Sequence, residues 1–187
     1  MASALEIPAI REQAALFSVS SYHKLILSGV ISAETELLEG VVVDKMTKSY
    51  DHNYFTNALF EAMRKIVPAG MLVLKESSLT LIESESEPEP DLMVVAGPLS
   101  RYKDKNPQTA AFIVEVAKSS LGLDRAKASV YSRAGIDVYC IVDIDAKNVE
   151  FYEKPGVAGY QTRRDFSFKD RIPFFESHLV LETILDG

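Results

Sequence analysis

The chain carries a series of short runs of β-branched and apolar residues, most of them bounded by polar or glycine-containing turns. Runs of this length and composition are typical of β-strands. They predict strands over residues 34–38, 41–43, 71–75, 78–82, 91–95, 110–116, 138–143 and 149–154. The alternation of apolar and polar positions continues more loosely from Tyr160 to Leu185.

Other stretches repeat their apolar positions at helical spacing. The longest predicted helix covers residues 49–67, and a second covers residues 124–134. A shorter helix is expected to begin at Ser18 or Ser20, which can cap it, and to end at Gly29. The apolar face of the longest helix consists of Tyr54, Phe55, Ala58, Leu59, Ala62, Met63 and Ile66.

The order of these elements is helix, strands, long helix, strands, helix, strands. This order favours an α/β fold in which helices flank one mixed β-sheet. No internal repeat and no linker interrupts the pattern, so a single domain is expected over residues 1–187, with residues 1–17 as an N-terminal arm or a loose first turn.

Composition and charge narrow the class of protein. Hydrophobic residues make up 47% and charged residues 25% of the chain, as in ordinary globular proteins. A net charge of −7 argues against non-specific coating of nucleic acid, although a local basic groove remains compatible with it. The single cysteine, Cys140, excludes an intramolecular disulfide. No apolar run could cross a membrane and no signal peptide is evident, so a cytoplasmic location is expected.

Two carboxylates stand out because each belongs to an apolar strand. Asp91 opens one predicted strand, and Glu115 lies between Val114 and Val116 in another. If these strands pair, the two carboxylates converge and repel each other unless a cation or a shared proton neutralises them. A hard divalent ion is the usual solution, and metal-assisted phosphodiester hydrolysis is the chemistry it indicates. Each carboxylate also has an interpretation without a metal. Asp91 could lie at the surface at the end of a strand, and Glu115 could form a buried salt bridge.

Further polar residues flank these strands. Lys127 and Tyr131 are four positions apart in the predicted helix 124–134 and therefore share a face, whereas Asp124 could simply cap that helix. His52 lies at the start of the long helix, where backbone N–H groups favour anions, and Glu39 lies in a hairpin turn. Each of these residues also has an ordinary structural interpretation. The acidic stretch 83–90 is interpreted as a solvated connection.

Several segments together resemble a known family, the Uma-type putative restriction endonucleases of the PD-(D/E)xK nuclease superfamily. The matching pieces run from about Tyr22 to Asp143. Each is weak alone, but their order and spacing are fairly specific. They are residues 36–40 (ELLEG), 49–52 (SYDH), 90–95 (PDLMVV), 113–120 (IVEVAKSS), 124–127 (DRAK) with Tyr131, and 134–143 (AGIDVYCIVD).

The resemblance implies a restriction-endonuclease-like core and a role for each matching residue. Asp91 and Glu115 would be metal ligands for one or two Mg²⁺ or Mn²⁺ ions, and the backbone carbonyl of Val116 a further ligand. The lysine of the family pattern is expected at position 117, where this chain has alanine. Lys127, on the following helix, is the candidate to replace it.

The remaining residues would support this centre. Asp124 and Tyr131 would position Lys127, and Glu39 and His52 match family positions near the same pocket. DNA is the implied substrate, and the resemblance also implies a homodimer. The aromatic residues of the tail favour the dimer too, because a small domain would not bury them all; these are Phe166, Phe168, Phe174 and Phe175.

Two alternatives stay open at this stage. Ala117 and the acidic net charge also fit an inactive nuclease fold that binds DNA or protein. A metal-free structural protein would require a salt bridge alone to neutralise Glu115.

Overall fold

The computed structural model describes residues 8–186. Within this range the α-helices are α1 (Pro8–Glu12), α2 (Val19–Leu27), α3 (Tyr50–Ile66), α4 (Leu121–Arg133) and α5 (Leu181–Asp186). The first strands are β1 (Thr35–Leu38), β2 (Val41–Asp44), β3 (Met71–Lys75), β4 (Leu92–Ala96) and β5 (Phe112–Ala117). They are followed by β6 (Val138–Asp143), β7 (Asn148–Glu153), β8 (Thr162–Ser167), β9 (Ile172–Phe174) and β10 (Ser177–Leu179).

Six strands form one sheet in the order β3-β4-β5-β6-β7-β8. All neighbouring pairs are antiparallel except β5 and β6, which are parallel. A parallel pair requires a crossover connection, and α4 provides it. The predicted mixed sheet with flanking helices is therefore confirmed.

The two faces of the sheet are covered by different helices. Leu59 and Met63 of α3 pack on one face together with α5 and the β9–β10 hairpin. Val130 and Tyr131 of α4 pack on the other face. Successive residues of a strand point to opposite faces, so Val114 and Val116 of β5 join the first core and Ile113 and Ala117 the second. Glu115 accordingly points towards the face covered by α4.

Helix boundaries follow local capping chemistry. Ser49 caps α3 because its side chain accepts a hydrogen bond from the N–H of His52 at 3.2 Å, and Ser18 caps α2 in the same way. The predicted start of the helix at Asp124 is wrong, since α4 begins at Leu121 and Asp124 belongs to its first turn.

The β1–β2 hairpin lies outside the main sheet and is attached by the acidic stretch before β4. Leu37 and Glu87 bond each other through their backbones, with the Glu87 N–H donating at 2.7 Å. The expectation of a solvated connection over residues 83–90 is therefore wrong for its second half, because Ser86, Glu87 and Pro88 are buried. This attachment places β1 beside the start of β4.

The strand predicted over residues 78–82 is absent. Leu79 and Leu81 are buried, which explains the apolar alternation. Their backbone N–H groups bond Pro88 and Ser86 instead of a neighbouring strand, and a short 3₁₀ turn follows at Ile82–Ser84. The alternation of apolar and polar residues here reflects buried side chains and not the backbone hydrogen bonds of a β-sheet.

Most of the aromatic tail is part of the core. Phe168 and Phe174 are buried, and Phe174 packs edge-on against Phe112 with ring centroids 5.2 Å apart. The tail thus gives less support for a homodimer than its sequence did, and the dimer stays a prediction. Among residues 8–186, none of the helices has the length and apolar character needed to cross a membrane.

Phe174 should be a major source of stability. Phe174→Ala would leave a cavity beside Phe112, and we expect it to lower the free energy of unfolding by about 3–5 kcal/mol. Val157→Ala, at a side chain that is 88% exposed, should change it by less than about 0.5 kcal/mol. Urea unfolding of both variants tests this, and equal effects would contradict the assignment of the tail to the core.

Candidate active site

The pairing of β4 with β5 brings two carboxylates together. Leu92 pairs with Val114 in an antiparallel register, so the next step of the ladder sets Asp91 opposite Glu115. The N–H of Asp91 donates to Glu115 Oε2 at 3.1 Å, and the N–H of Val116 donates to Asp91 Oδ2 at 2.8 Å. Both acidic residues are buried. The convergence expected from the sequence is present.

Helix α4 places a lysine directly against this pair. Lys127 Nζ lies 3.0 Å from Glu115 Oε1 and 2.9 Å from Glu36 Oε2. One turn later, the Tyr131 hydroxyl donates to Glu115 Oε1 at 3.2 Å. The side chain of Lys127 is only 6% exposed, so its ammonium group is held between two buried carboxylates. Lys127 and Tyr131 thus share a helix face and meet Glu115, as their spacing predicts.

Donors from the opposite side of the sheet hold Asp91. His52, in the first turn of α3, directs Nε2 to Asp91 Oδ2 at 3.0 Å. Lys48, in the segment that precedes α3, lies 3.1 Å from Asp91 Oδ1 and 2.7 Å from Glu76 Oε1. Asp91 therefore receives two side-chain donors in addition to the N–H of Val116.

Burial and charge act in opposite directions on these groups. Burial raises the pKa of Glu115 well above its usual value, against the opposing effect of Lys127. Burial also acts to raise the pKa of Asp91, but His52, Lys48 and the Val116 N–H outweigh it and lower that pKa. The pKa of Lys127 is raised by Glu115 and Glu36 although burial opposes this, so Lys127 stays cationic.

Asp124 lies near the pair without touching it. Its carboxylate accepts a hydrogen bond from Ser120 Oγ at 2.6 Å, and its backbone carbonyl accepts one from the Tyr139 hydroxyl at 2.8 Å. Because the side chain is buried, the pKa of Asp124 is raised to about 6. Its predicted support of Lys127 acts through charge, since the structure shows no hydrogen bond between the two within the described residues.

One pocket of about 270 Å³ is lined by most of these residues, namely Glu36, Lys48, His52, Asp91, Glu115, Ser120, Asp124 and Lys127. Its rim adds Lys45, which pairs with Glu89, and Lys118, which pairs with Asp51 of α3. The side chain of Lys118 is 35% exposed. Buried carboxylates and Lys127 therefore lie at the base of the pocket, and Lys45 and Lys118 lie at its rim.

One predicted site residue lies elsewhere. Glu39 forms an ion pair with Arg133 at the C-terminal end of α4 and lines a different pocket. Its placement near Asp91 was wrong because it occupies the β1–β2 turn, with a φ of 50°, and the turn directs it away. Glu36, three residues earlier, reaches the site instead.

Sequence reasoning missed Glu36 and Lys48 as site residues. Glu36 has the same signature as Glu115, a carboxylate within a strand of otherwise buried residues, and that signal could have identified it. Lys48 lies in a segment without helix or strand periodicity, and no local pattern marks it.

The site offers two carboxylates to a cation, so a hard cation bound there would have to keep part of its water shell. Among residues 8–186, no group of three or more His, Cys, Asp or Glu side chains is arranged to hold a metal ion. Mg²⁺ in nucleic-acid enzymes commonly uses one or two carboxylates plus water and substrate phosphate. Asp91 and Glu115 supply two such carboxylates, and the role of the Val116 carbonyl as a ligand stays a prediction.

Removing the buried lysine should destabilise the fold. Lys127→Met leaves Glu36 and Glu115 without their shared cation, and we expect a loss of about 3–5 kcal/mol in the free energy of unfolding. The matched variant Lys118→Met removes a partly exposed lysine and should cost less than about 1 kcal/mol. Chemical denaturation in the presence of a chelator measures both, and comparable losses would show that Lys127 is not the neutralising cation.

Asp124 should give the protein a recognisable pH dependence. Its pKa is about 6 in the folded chain and near 3.8 when unfolded, so the folded state binds the proton more tightly. The stability it contributes is complete below the unfolded pKa and is lost as pH rises through about 6. Relative to Asp124→Asn, the wild type should lose stability between about pH 4 and 7.

Urea unfolding at a series of pH values, with chelator present, tests this. Asp104→Asn, at an exposed position, is the control for removal of one negative charge. Parallel stability curves for the wild type and Asp124→Asn would contradict the assignment.

Comparison with known proteins identifies the fold and the family of the chain. The search of curated proteins found no match. A crystal structure titled as a putative nuclease belonging to DUF820 from Anabaena variabilis ATCC 29413 is similar, with a TM-score of 0.70 and 16% identity over 91% of this chain and 98% of that chain. At this identity the likeness shows the fold. The model of the Uma2 family, described as "Putative restriction endonuclease", matches residues 22–181, and the chain therefore belongs to the Uma2 family.

Proposed function

We propose that the protein is a metal-dependent endonuclease that hydrolyses DNA phosphodiester bonds. The observation that carries this proposal is the group formed by Asp91, Glu115 and Lys127, in which two strand carboxylates face each other and a buried ammonium group contacts one of them. Membership of a family described as "Putative restriction endonuclease" supports it, and so does a fold shared with a protein titled as a putative nuclease.

The chemistry would divide between the cation and the chain. When bound at Asp91 and Glu115, Mg²⁺ or Mn²⁺ would polarise the scissile phosphate and make a nearby water more acidic. Lys127 would fix the orientation of Glu115 and supply positive charge where the transition state gains negative charge. Tyr131 would hold the same carboxylate from the helix side, and His52 would fix Asp91.

The position of Lys127 is compatible with the alanine at position 117. Ala117 is fully buried in β5 and points into the core beneath α4, with no polar group to offer. Lys127 reaches Glu115 from the helix that follows this strand, within hydrogen-bond distance. A lysine on α4 can therefore contact Glu115 in place of a lysine on the strand.

A second candidate is an inactive nuclease fold that binds DNA or protein. The observation that favours it is that Lys127 is already committed to two carboxylates, Glu36 and Glu115, and has little freedom to meet a substrate. In that case Lys127 would replace a metal as the neutralising cation of the site.

Metal binding and cleavage should separate the two candidates. Calorimetric titration with Mn²⁺ should show binding by the wild type that is lost in Asp91→Ala. Plasmid DNA should be cut in Mg²⁺ or Mn²⁺, and Glu115→Gln should lower the rate by at least about a hundredfold while leaving the fold intact. Absence of cleavage with either cation, together with retained DNA binding, would favour the inactive module.

The choice of lysine has its own test. Lys127→Gln should abolish cleavage because the positive charge beside Glu115 is removed, whereas Lys118→Gln should retain activity within about a few-fold. Circular dichroism would verify that Lys127→Gln is folded at the assay temperature. Loss of activity in Lys118→Gln alone would show that the strand-end lysine carries the role.

A further inference from the structure

The two oxygens of Asp91 are in different situations. Oδ2 is enclosed, because it accepts hydrogen bonds from His52 Nε2 at 3.0 Å and from the Val116 N–H at 2.8 Å. Oδ1 lies 3.1 Å from Lys48 Nζ, and among residues 8–186 it makes no other polar contact. Oδ1 is therefore the Asp91 oxygen that an incoming cation could reach, and a lysine occupies that approach.

Lys48 is held far less firmly than Lys127. Its side chain is 31% exposed, and it belongs to the segment between β2 and α3, which has neither helix nor strand structure. Its second partner, Glu76, is 33% exposed and lies at 2.7 Å, closer than Asp91. When the ammonium group leaves Asp91 it can keep its contact with the partly exposed Glu76 and meet solvent, which the enclosed Lys127 cannot do.

We propose that Lys48 is an exchangeable counter-ion of Asp91. Its ammonium group neutralises Oδ1 while the site lacks a divalent cation, and it leaves when such a cation binds to Asp91 and Glu115. The released ammonium group then contacts a phosphate of the nucleic-acid substrate at the mouth of the pocket. This inference rests on the proposed function, since it requires a divalent cation at Asp91.

The charges around Asp91 support the exchange. Glu36, Asp91 and Glu115 carry three negative charges when all are ionised, and Lys127 permanently neutralises one of them. The group stays negatively charged when Lys48 withdraws, and Asp124 in the same pocket adds to that charge when ionised, which favours a divalent cation. A bound cation would also repel Lys48 from Asp91, because the two like charges would share one carboxylate.

The position of Lys48 suits a contact with phosphate. Lys48 lines the same pocket as Lys45 and Lys118, so its displacement outward brings a third ammonium group to the lysines of the rim. Lysine binds phosphate as a compact point charge and needs no fixed fork geometry, so a lysine on a segment without helix or strand structure can make this contact. Binding of the cation would thus prepare the pocket for a polyanion.

The first experiment measures the affinity for Mn²⁺ by calorimetry in the absence of DNA. Lys48→Met removes the competing ammonium group, and we expect it to bind Mn²⁺ roughly fivefold more tightly than Lys45→Met, because the cation no longer has to displace a lysine from Asp91. Lys45→Met is the matched control, because it removes one positive charge from the same segment without a contact to Asp91.

The outcomes separate this inference from the proposed function. Equal affinities in Lys48→Met and Lys45→Met, with binding that depends on Asp91, would overturn the exchange and leave the metal-dependent site intact. No binding in any variant, or binding unaffected by Asp91→Asn, would overturn both. Binding by Lys48→Met without binding by the wild type would support the exchange in its strongest form.

The second experiment measures DNA binding by fluorescence anisotropy with and without Ca²⁺, with the DNA checked for integrity by gel electrophoresis. The wild type and Lys45→Met should bind a labelled oligonucleotide more tightly when Ca²⁺ is added. Lys48→Met should lose most of this gain, because it has no ammonium group to release. The same gain in Lys48→Met as in Lys45→Met would overturn the contact between Lys48 and phosphate.

Discussion

The site depends on the neutralisation of carboxylates that sheet pairing forces together. The register of β4 and β5 sets Asp91 opposite Glu115, and β1 adds Glu36 from the side. Buried carboxylates in contact are costly unless cations or donors accompany them. Each helix that covers the sheet at this point supplies one, Lys127 from α4 and His52 from α3. Helix positions and the site are therefore determined by the same requirement.

The two lysines that neutralise these carboxylates differ in how firmly they are held. Lys127 is nearly inaccessible and bridges two carboxylates, so it acts as part of the fold. Lys48 is partly exposed, forms a second ion pair with Glu76 and belongs to a segment without helix or strand structure. A site that needed only structural neutralisation would gain from burying both lysines. Because Lys48 is partly exposed, Oδ1 of Asp91 is the oxygen at which the proposed exchange with a divalent cation would take place.

Sequence patterns predicted the parts of the site that depend on local periodicity. The apolar run around Glu115 predicted that its side chain is buried, and helical spacing placed Lys127 and Tyr131 on one face. Glu36 and Lys48 depend instead on how the β1–β2 hairpin attaches to the stretch before β4, a contact between residues about fifty positions apart. Such a contact has no periodicity of its own. The strand predicted over residues 78–82 is absent for a related reason. Apolar side chains are buried there, but the backbone does not pair with a neighbouring strand.

A second acidic residue in the sheet shows why burial of a strand carboxylate does not by itself define a site. Glu150 lies two strands from Glu115 in the same cross-strand row, through Ile141, and is equally buried. Arg125 donates to both of its oxygens, at 2.9 and 3.2 Å from Nε, and Arg163 lies 3.1 Å from Oε1. Guanidinium groups remain charged and satisfy a carboxylate in a fixed fork, so no oxygen is left for an external cation. Asp91 differs because one of its oxygens lies opposite a partly exposed lysine, and this is the carboxylate at which the proposed exchange with a cation would occur.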